Sequence, residues 1–258
     1  MASSGLSLVT VDGAPLRIGP WRARSPFGYL APLNDSPQLT AGTIRQACDL
    51  LAGHGYRHVI SGAVPEQQAR PFVDAGFVLR ERLHLLRHDM SALGRPRRRL
   101  VRRTSRRDHD AILAVDNVAF EPFWRMDAAS LEDTLAATPQ SRLRVTGSPV
   151  VGYSAFGLAG RCGYLQRLAV HPDEQGRGLA SALVFDGLRW CARKGAHSAL
   201  VNTQEHNERA LALYQHLGFQ REPYWLVVLE ARIGSTIGGS GRDDGRPRHL
   251  ASRPVEPR

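Results

Sequence analysis

The chain has 258 residues, 42% of them hydrophobic, so it can bury a core as one large domain or two modest ones. Its three cysteines, Cys48, Cys162 and Cys191, form no Cys-x-x-Cys pair, and an odd count argues against a disulfide framework, which leaves them as reduced core thiols. The formal charge of +10 is concentrated in the arginine-rich residues 95–107 and the C-terminal tail. No Phe, Tyr or Trp stands in residues 95–107 to stack on bases, which argues against a nucleic-acid partner.

No stretch approaches the roughly 20 consecutive apolar residues of a membrane helix, and residues 1–10 carry no charged leader followed by an apolar run. The expected location is therefore the cytoplasm, with no membrane partner.

In chain order, a helical segment runs up to Gly53, a short apolar strand follows, a second helix ends at Gly76-Phe77, and residues 77–87 read as a longer strand. Gly94, Pro96 and the arginines then mark a linker. The first half resembles the second weakly, with Gly53 matching Gly195 and Gly76-Phe77 matching Gly218-Phe219. That offset sets Phe72 against Tyr214 and Pro65 against Asn207, and residues 33–38 hold no glycine turn. The His54/His58 and His84/His88 pairs fall in turn or strand segments, where that spacing does not put two metal ligands on one helix face, so no metal is expected.

The second half predicts a strand over 99–104, helices over 108–119 and 128–138, and strands around 142–145, 150–157 and 163–170. This order fits an α/β fold with a mixed, mostly antiparallel sheet flanked by helices, in two lobes. The expected division is 1–94, 95–233, and a disordered tail over 234–258, whose Gly, Ser, Arg and Pro content cannot offset the ordering entropy.

The most informative stretch is LQRLAVHPDEQGRGLASALV, in which an apolar strand runs into a glycine-punctuated turn and then a helix with Ala180, Leu183, Val184, Leu188 and Cys191 on one face. A turn that opens a helix leaves backbone N–H groups unpaired at the positive end of the helix dipole, a natural phosphate site. Gly176 and Gly178 keep Cβ atoms out of the way, and Arg177 can add charge. An ordinary tight connection is the plainer alternative.

Gln175-Gly176-Arg177-Gly178-Leu179-Ala180 resembles the Gln/Arg-x-x-Gly-x-Gly/Ala signature of GNAT acetyltransferases, and Leu168-Ala169-Val170-His171-Pro172 resembles the strand that leads into it. The resemblance implies that this turn holds the pyrophosphate of acetyl-CoA, the co-substrate. It also implies that the backbone of Leu168 and Val170, on a splayed strand, pairs with the pantetheine arm. Downstream, NERALALYQHLGF resembles the family's second motif, in which the residue matching Asn207 contacts the cofactor and the one matching Tyr214 lies near its sulfur. A phenol there can protonate the departing thiolate, so Tyr214 is the candidate general acid, against the alternative of a core tyrosine.

Where family members often place a carboxylate base, this chain has Asn202, and Glu205, Glu121, Asp127 and His171 remain candidates by charge alone. A missing base favours a low-pKa acceptor, since an α-amine with pKa near 8 is about one-tenth neutral at pH 7. Phe120, Phe123 and Trp124 lie where the family contacts its acceptor, and they either line that pocket or plug the seam between lobes.

The resemblance, which extends to the ribosomal-protein N-terminal alanine acetyltransferases over about one hundred residues, implies an N-acetyltransferase. Its acceptor would be a primary amine of a small molecule or a peptide or protein N-terminus, attacked directly. The first half would be a degenerate GNAT-like lobe. The alternative is a non-catalytic acyl-CoA-sensing or protein-binding module, and either reading leaves room for a homodimer.

Overall fold

Burial alternates along the strand residues 14–20, 27–32 and 198–204, whereas residues 152–158 are buried on both faces. The computed structural model describes residues 5–22, 26–33, 39–90, 93 and 101–234. Residues 34–38 of the stretch without a glycine turn, most of the expected arginine-rich linker up to residue 100, and the expected disordered tail from 235 onward lie outside the described residues.

The first half gives β1 (Ser7–Val11), β2 (Ala14–Pro20), β3 (Phe27–Pro32), α1 (Ala41–Gly53), β4 (His58–Ser61), β5 (Val64–Pro65), α2 (Arg70–Asp74) and β6 (Val78–His88). The second gives β7 (Arg102–Arg103), α3 (His109–Ala119), α4 (Ala128–Ala136), β8 (Gln140–Thr146), β9 (Gly152–Ala159), β10 (Cys162–Val170), α5 (Leu179–Arg193), β11 (Ser198–Gln204), α6 (Glu208–His216) and β12 (Gln220–Arg232).

Among the described residues the strands join one mixed, mostly antiparallel sheet in the order β1-β2-β3-β4-β12-β6-β11-β10-β9-β8-β7, with β5 on β12. Each half contributes an antiparallel meander, a helix, a strand parallel to the last of the meander (β4 on β3, β11 on β10), a second helix and a closing strand.

The closing strands are exchanged. β6, from the first half, pairs with β11, and β12, from the second, pairs with β4 and β5, while β6 and β12 lie side by side. The sequence boundary near residue 95 is therefore not a break in the sheet.

Period-two alternation makes this exchange work. On β12, Val227 and Leu229 face the core under α1 and α2, whereas Leu226 and Val228 face the opposite side with Leu83 and Leu85 of β6. Leu86 of β6 joins the core beneath α5 and α6.

The helix ends repeat as well, with one correction to the sequence alignment of the halves. The equivalent of Gly195 (φ 85°) is Gly55 (φ 90°), not Gly53, because both follow the C-cap residue of their helix. In each case the next amide closes back on the helix, Tyr56 N to Leu51 O (3.2 Å) and Ala196 N to Cys191 O (3.0 Å). Gly76 and Gly218 correspond as the sequence predicts, with Phe77 N on Phe72 O and Phe219 N on Tyr214 O, both at 3.0 Å.

Candidate active site

The N-terminus of α5 is left open by its own sequence. Gly178 is the N-cap at φ 75° and supplies no side chain to cap the helix, and Gly176 stands at φ 78°. The first helical bond runs from Ala182 N to Gly178 O (3.0 Å), so the amides of Leu179, Ala180 and Ser181 have no carbonyl within the helix to bond. By contrast, Thr40, Asp127 and Asn207 cap α1, α4 and α6 with their side chains.

Beside this entrance the sheet opens. β10 pairs with β11 only from Cys162 to Tyr164, and its register on β9 then shifts between Leu165 and Arg167. The bulge turns β10 away, while β11 continues along β6 as far as Gln204.

The gap holds a cavity of about 410 Å³ that runs from Gln175, Gly176, Gly178, Leu179 and Ala180 along Leu168, Ala169 and Val170 to Asn207 and Tyr214. The side chain of Gln175 ties the turn to the strand by donating from Nε2 to the Val170 carbonyl (3.0 Å). Arg177 does not itself line this cavity but pairs with Glu174 (2.6 Å), which does.

Asn207 opens α6, its Oδ1 accepting from Ala210 N (3.0 Å), and so fixes the helix that carries Tyr214. Tyr214 is 6% exposed, and desolvation raises its phenol above the ordinary range, opposed by the charge of Arg167. At neutral pH it holds its proton, as an acid must.

Tyr214 also borders a second cavity of about 220 Å³, which shares Phe120, Leu168, Asn207 and Ala210 with the first and continues to Trp124, Arg167, Asn202 and Gln204. Phe120 and Trp124 thus line a pocket beyond the tyrosine. Phe123 does not, because it packs in the seam with the first half, stacking on Trp21 (5.5 Å), edge-on to Phe27 (6.0 Å) and beneath the Arg80 guanidinium.

None of the four charged candidates for a base lines either cavity. Glu121 and Glu205 are exposed, Asp127 caps α4 (2.7 Å to Ser130 N), and His171 lies 3.7 Å from Asp173. Asn202 stands in the second cavity.

Residues 112–219 match the family model described as the acetyltransferase (GNAT) family. The chain contains a GNAT acetyltransferase domain. A mycothiol acetyltransferase from Amycolatopsis mediterranei is 30% identical over 131 residues, which cover 44% of this chain and 43% of that protein. The chain thus spans less than half the length of this curated relative.

Among solved structures, a tandem GNAT protein from the clavulanic acid biosynthesis pathway superposes with a TM-score of 0.64 at 16% identity, over 92% of this chain and 86% of that one. A GNAT-family protein from Novosphingobium aromaticivorans gives 0.62 at 18% identity, over 85% and 89%. These likenesses extend over both halves of the chain and show the fold.

Sequence reasoning missed a buried network in the GNAT domain. Arg167 donates Nε and Nη2 to the fully buried Asp116 (2.8 and 3.0 Å), which also accepts from the Tyr153 hydroxyl (2.5 Å). Arg167 further donates to the Trp124 carbonyl (2.6 Å) and lies 3.4 Å from the Phe120 ring centre, which fixes both pocket aromatics. A signal was present, since Asp116 shares the helical face of Ile112 and Val115, where a carboxylate needs a buried partner.

Among the described residues, no group of three or more His, Cys, Asp or Glu side chains is arranged to hold a metal, and no helix is long and apolar enough to cross a membrane. His84 packs on Trp225 (4.2 Å), and His88 Nδ1 accepts from Met90 N (2.9 Å), so both serve the packing of β6.

Proposed function

We propose that this chain transfers an acetyl group from acetyl-CoA to a primary amine of a small molecule or a peptide or protein N-terminus, by direct attack. The observation that carries the reading is the uncapped entrance of α5, with left-handed glycines at 176 and 178, opening onto a splayed strand and ending at Tyr214.

These features fit acetyl-CoA. The amides of Leu179, Ala180 and Ser181, with Gly176, Gly178 and Gln175 around them, would hold the pyrophosphate, and Arg177 would add charge at the rim. Leu168 and Val170 would present backbone groups to the pantetheine arm, and Asn207 would border it. Acetyl-CoA supplies an acetyl group activated as a thioester.

Backbone amides of the splayed strand would polarise the carbonyl, and Tyr214 would give its proton to the departing sulfur as the amine nitrogen bonds to the acetyl carbon. With no carboxylate lining the second cavity, the amine would lose its proton to water, which favours a low-pKa acceptor held between Phe120 and Trp124.

The curated relatives are mycothiol acetyltransferases, which supports the acetyl-transfer class. In this reading residues 95–233 carry the chemistry, the first half is a degenerate GNAT-like lobe, and the protein works in the cytoplasm without metal. Asn202 in place of a carboxylate is the specific observation behind the second reading, a module that binds acyl-CoA without turnover.

The test is CoA release from acetyl-CoA in the presence of free amines, N-terminal peptides and lysine peptides, followed with a thiol reagent. We expect acceptor-dependent release that falls by about 10²- to 10⁴-fold in Tyr214→Phe with acetyl-CoA affinity retained. Binding without release on any acceptor would favour the second reading, and absence of binding would overturn both.

A further inference from the structure

A second cation, beside Arg167, lines the second cavity. Arg22, from the first half, stands at φ 50°, a conformation that costs energy for a residue with a Cβ, and it lines the cavity together with Tyr214. Its guanidinium carbon lies 4.6 Å from the Trp21 ring centre and 5.7 Å from that of Trp124. Nη1 donates to the carbonyls of Trp124 and Arg125, and among the described residues the Nε/Nη2 edge meets no acceptor.

We propose that Arg22 binds a carboxylate carried by the acceptor, so that the site selects small primary amines bearing a carboxylate. This rests on the reading that the second cavity receives the amine.

The charge balance supports it. Arg167, next to Arg22, is matched by Asp116, but Arg22 has no carboxylate at ion-pair distance among the described residues, and no Asp or Glu lines the cavity. Burial, and then the charge of Arg167, bring the Arg22 pKa down to about 9 against the opposing charge of Asp116, so a charged guanidinium here is held at a cost. Arg22 is half-buried, and a cation drawn out of water ordinarily has an anionic partner; its Nε/Nη2 edge is the fork that fits a carboxylate with two bonds.

The same two cations disfavour lysine side chains and polyamines, which would add positive charge. They also disfavour the ammonium form of a bound amine, which eases the lack of a base. The carboxylate changes no bond: nitrogen bonds to the acetyl carbon as carbon–sulfur breaks, Tyr214 protonates the sulfur, and the amine proton leaves to water.

L-alanine and L-phenylalanine, each beside its own amide, separate the carboxylate from the rest of the acceptor. Counted per neutral amine, because an α-carboxylate raises the amine pKa above that of the amide, we expect the wild type to prefer the acids by about 10²-fold in kcat/KM, and Arg22→Gln to bring the ratio within about tenfold while acetyl-CoA affinity holds. Arg22→Lys, which keeps the charge and loses the fork, should fall between. Because the cation is half-buried at a cost, Arg22→Gln should melt no lower than wild type, whereas a purely structural arginine would make it melt lower.

Calorimetric titration of L-phenylalanine into the CoA-saturated protein reads the site without turnover. If no amine is acetylated, yet the acid binds the wild type and not Arg22→Gln, the transfer reading fails and this one stands. Equal use of acids and amides per neutral amine, a ratio unmoved by Arg22→Gln, or no binding of either acid would overturn it.

Discussion

The two halves of this molecule share an order of elements but differ at the three places where a cofactor would enter. At the entrance of the first helix, α1 has Thr40, whose Oγ1 accepts from Thr43 N (3.1 Å), whereas α5 has Gly178 and no side-chain cap. Between the parallel strands, β3 and β4 approach so closely that a Cβ at Gly62 would stand 2.8 Å from Ala31 Cβ, while β10 and β11 part after Tyr164. On the second helix, Phe72 is completely buried in the core where Tyr214 borders two cavities. A helix N-terminus closed by its own hydroxyl and a strand pair in contact have nothing to offer a ligand. The open half forgoes those contacts, and a binding partner can supply them.

That contrast can be tested by making the open half more like the closed one. The largest effect after Tyr214→Phe is expected for Gly178→Thr, which puts a β-branched residue and a competing hydroxyl at φ 75°. The left-handed conformation should cost about 1–2 kcal/mol, read as a lower midpoint in denaturant. Acetyl-CoA affinity, read by calorimetry, should fall at least tenfold, about 1.4 kcal/mol. Unchanged affinity would mean that the turn is only a connection.

A smaller effect separates the caps. Thr40→Ala and Asn207→Ala should each lose about 1 kcal/mol of stability with their cap bonds, but only Asn207→Ala should also weaken acetyl-CoA, because Asn207 alone borders the cavities. Equal ligand effects from the two would remove the distinction between the halves.

The smallest effect concerns the exchanged strand β6. Burial lowers His84 and His88 below the ordinary value of 6.5. In the unfolded chain they take up protons at a higher pH than in the folded one, so the stability they contribute is complete above pH 6.5 and is lost as pH falls through the lowered folded values. The melting temperature should drop on acidification below about pH 6.5, and His88→Gln should flatten that drop. A flat wild-type profile would show that β6 is not held by neutral histidines.

Much of the site was legible because its parts are local. The glycines of the turn, the apolar face of α5, the Asn207 cap and the buried side of α6 each depend on residues within a turn or two, and periodicity records them. The aromatic segment was legible only as a choice, and the structure divides it, with Phe120 and Trp124 in the cavity and Phe123 in the seam. Asp116 was legible in principle, by its place on a buried helical face.

By itself the sequence determined the order of elements, the open helix entrance and the tyrosine beyond it, since local spacing sets backbone conformation and the buried face. Only the tertiary structure decided that β6 and β12 change places, that β10 leaves β11 after Tyr164, and that Arg22 reaches Trp124 across 102 positions of chain. Those outcomes depend on strand partners and charges distant in sequence, whose pairing is settled by the burial of whole faces and leaves no periodic mark on either segment.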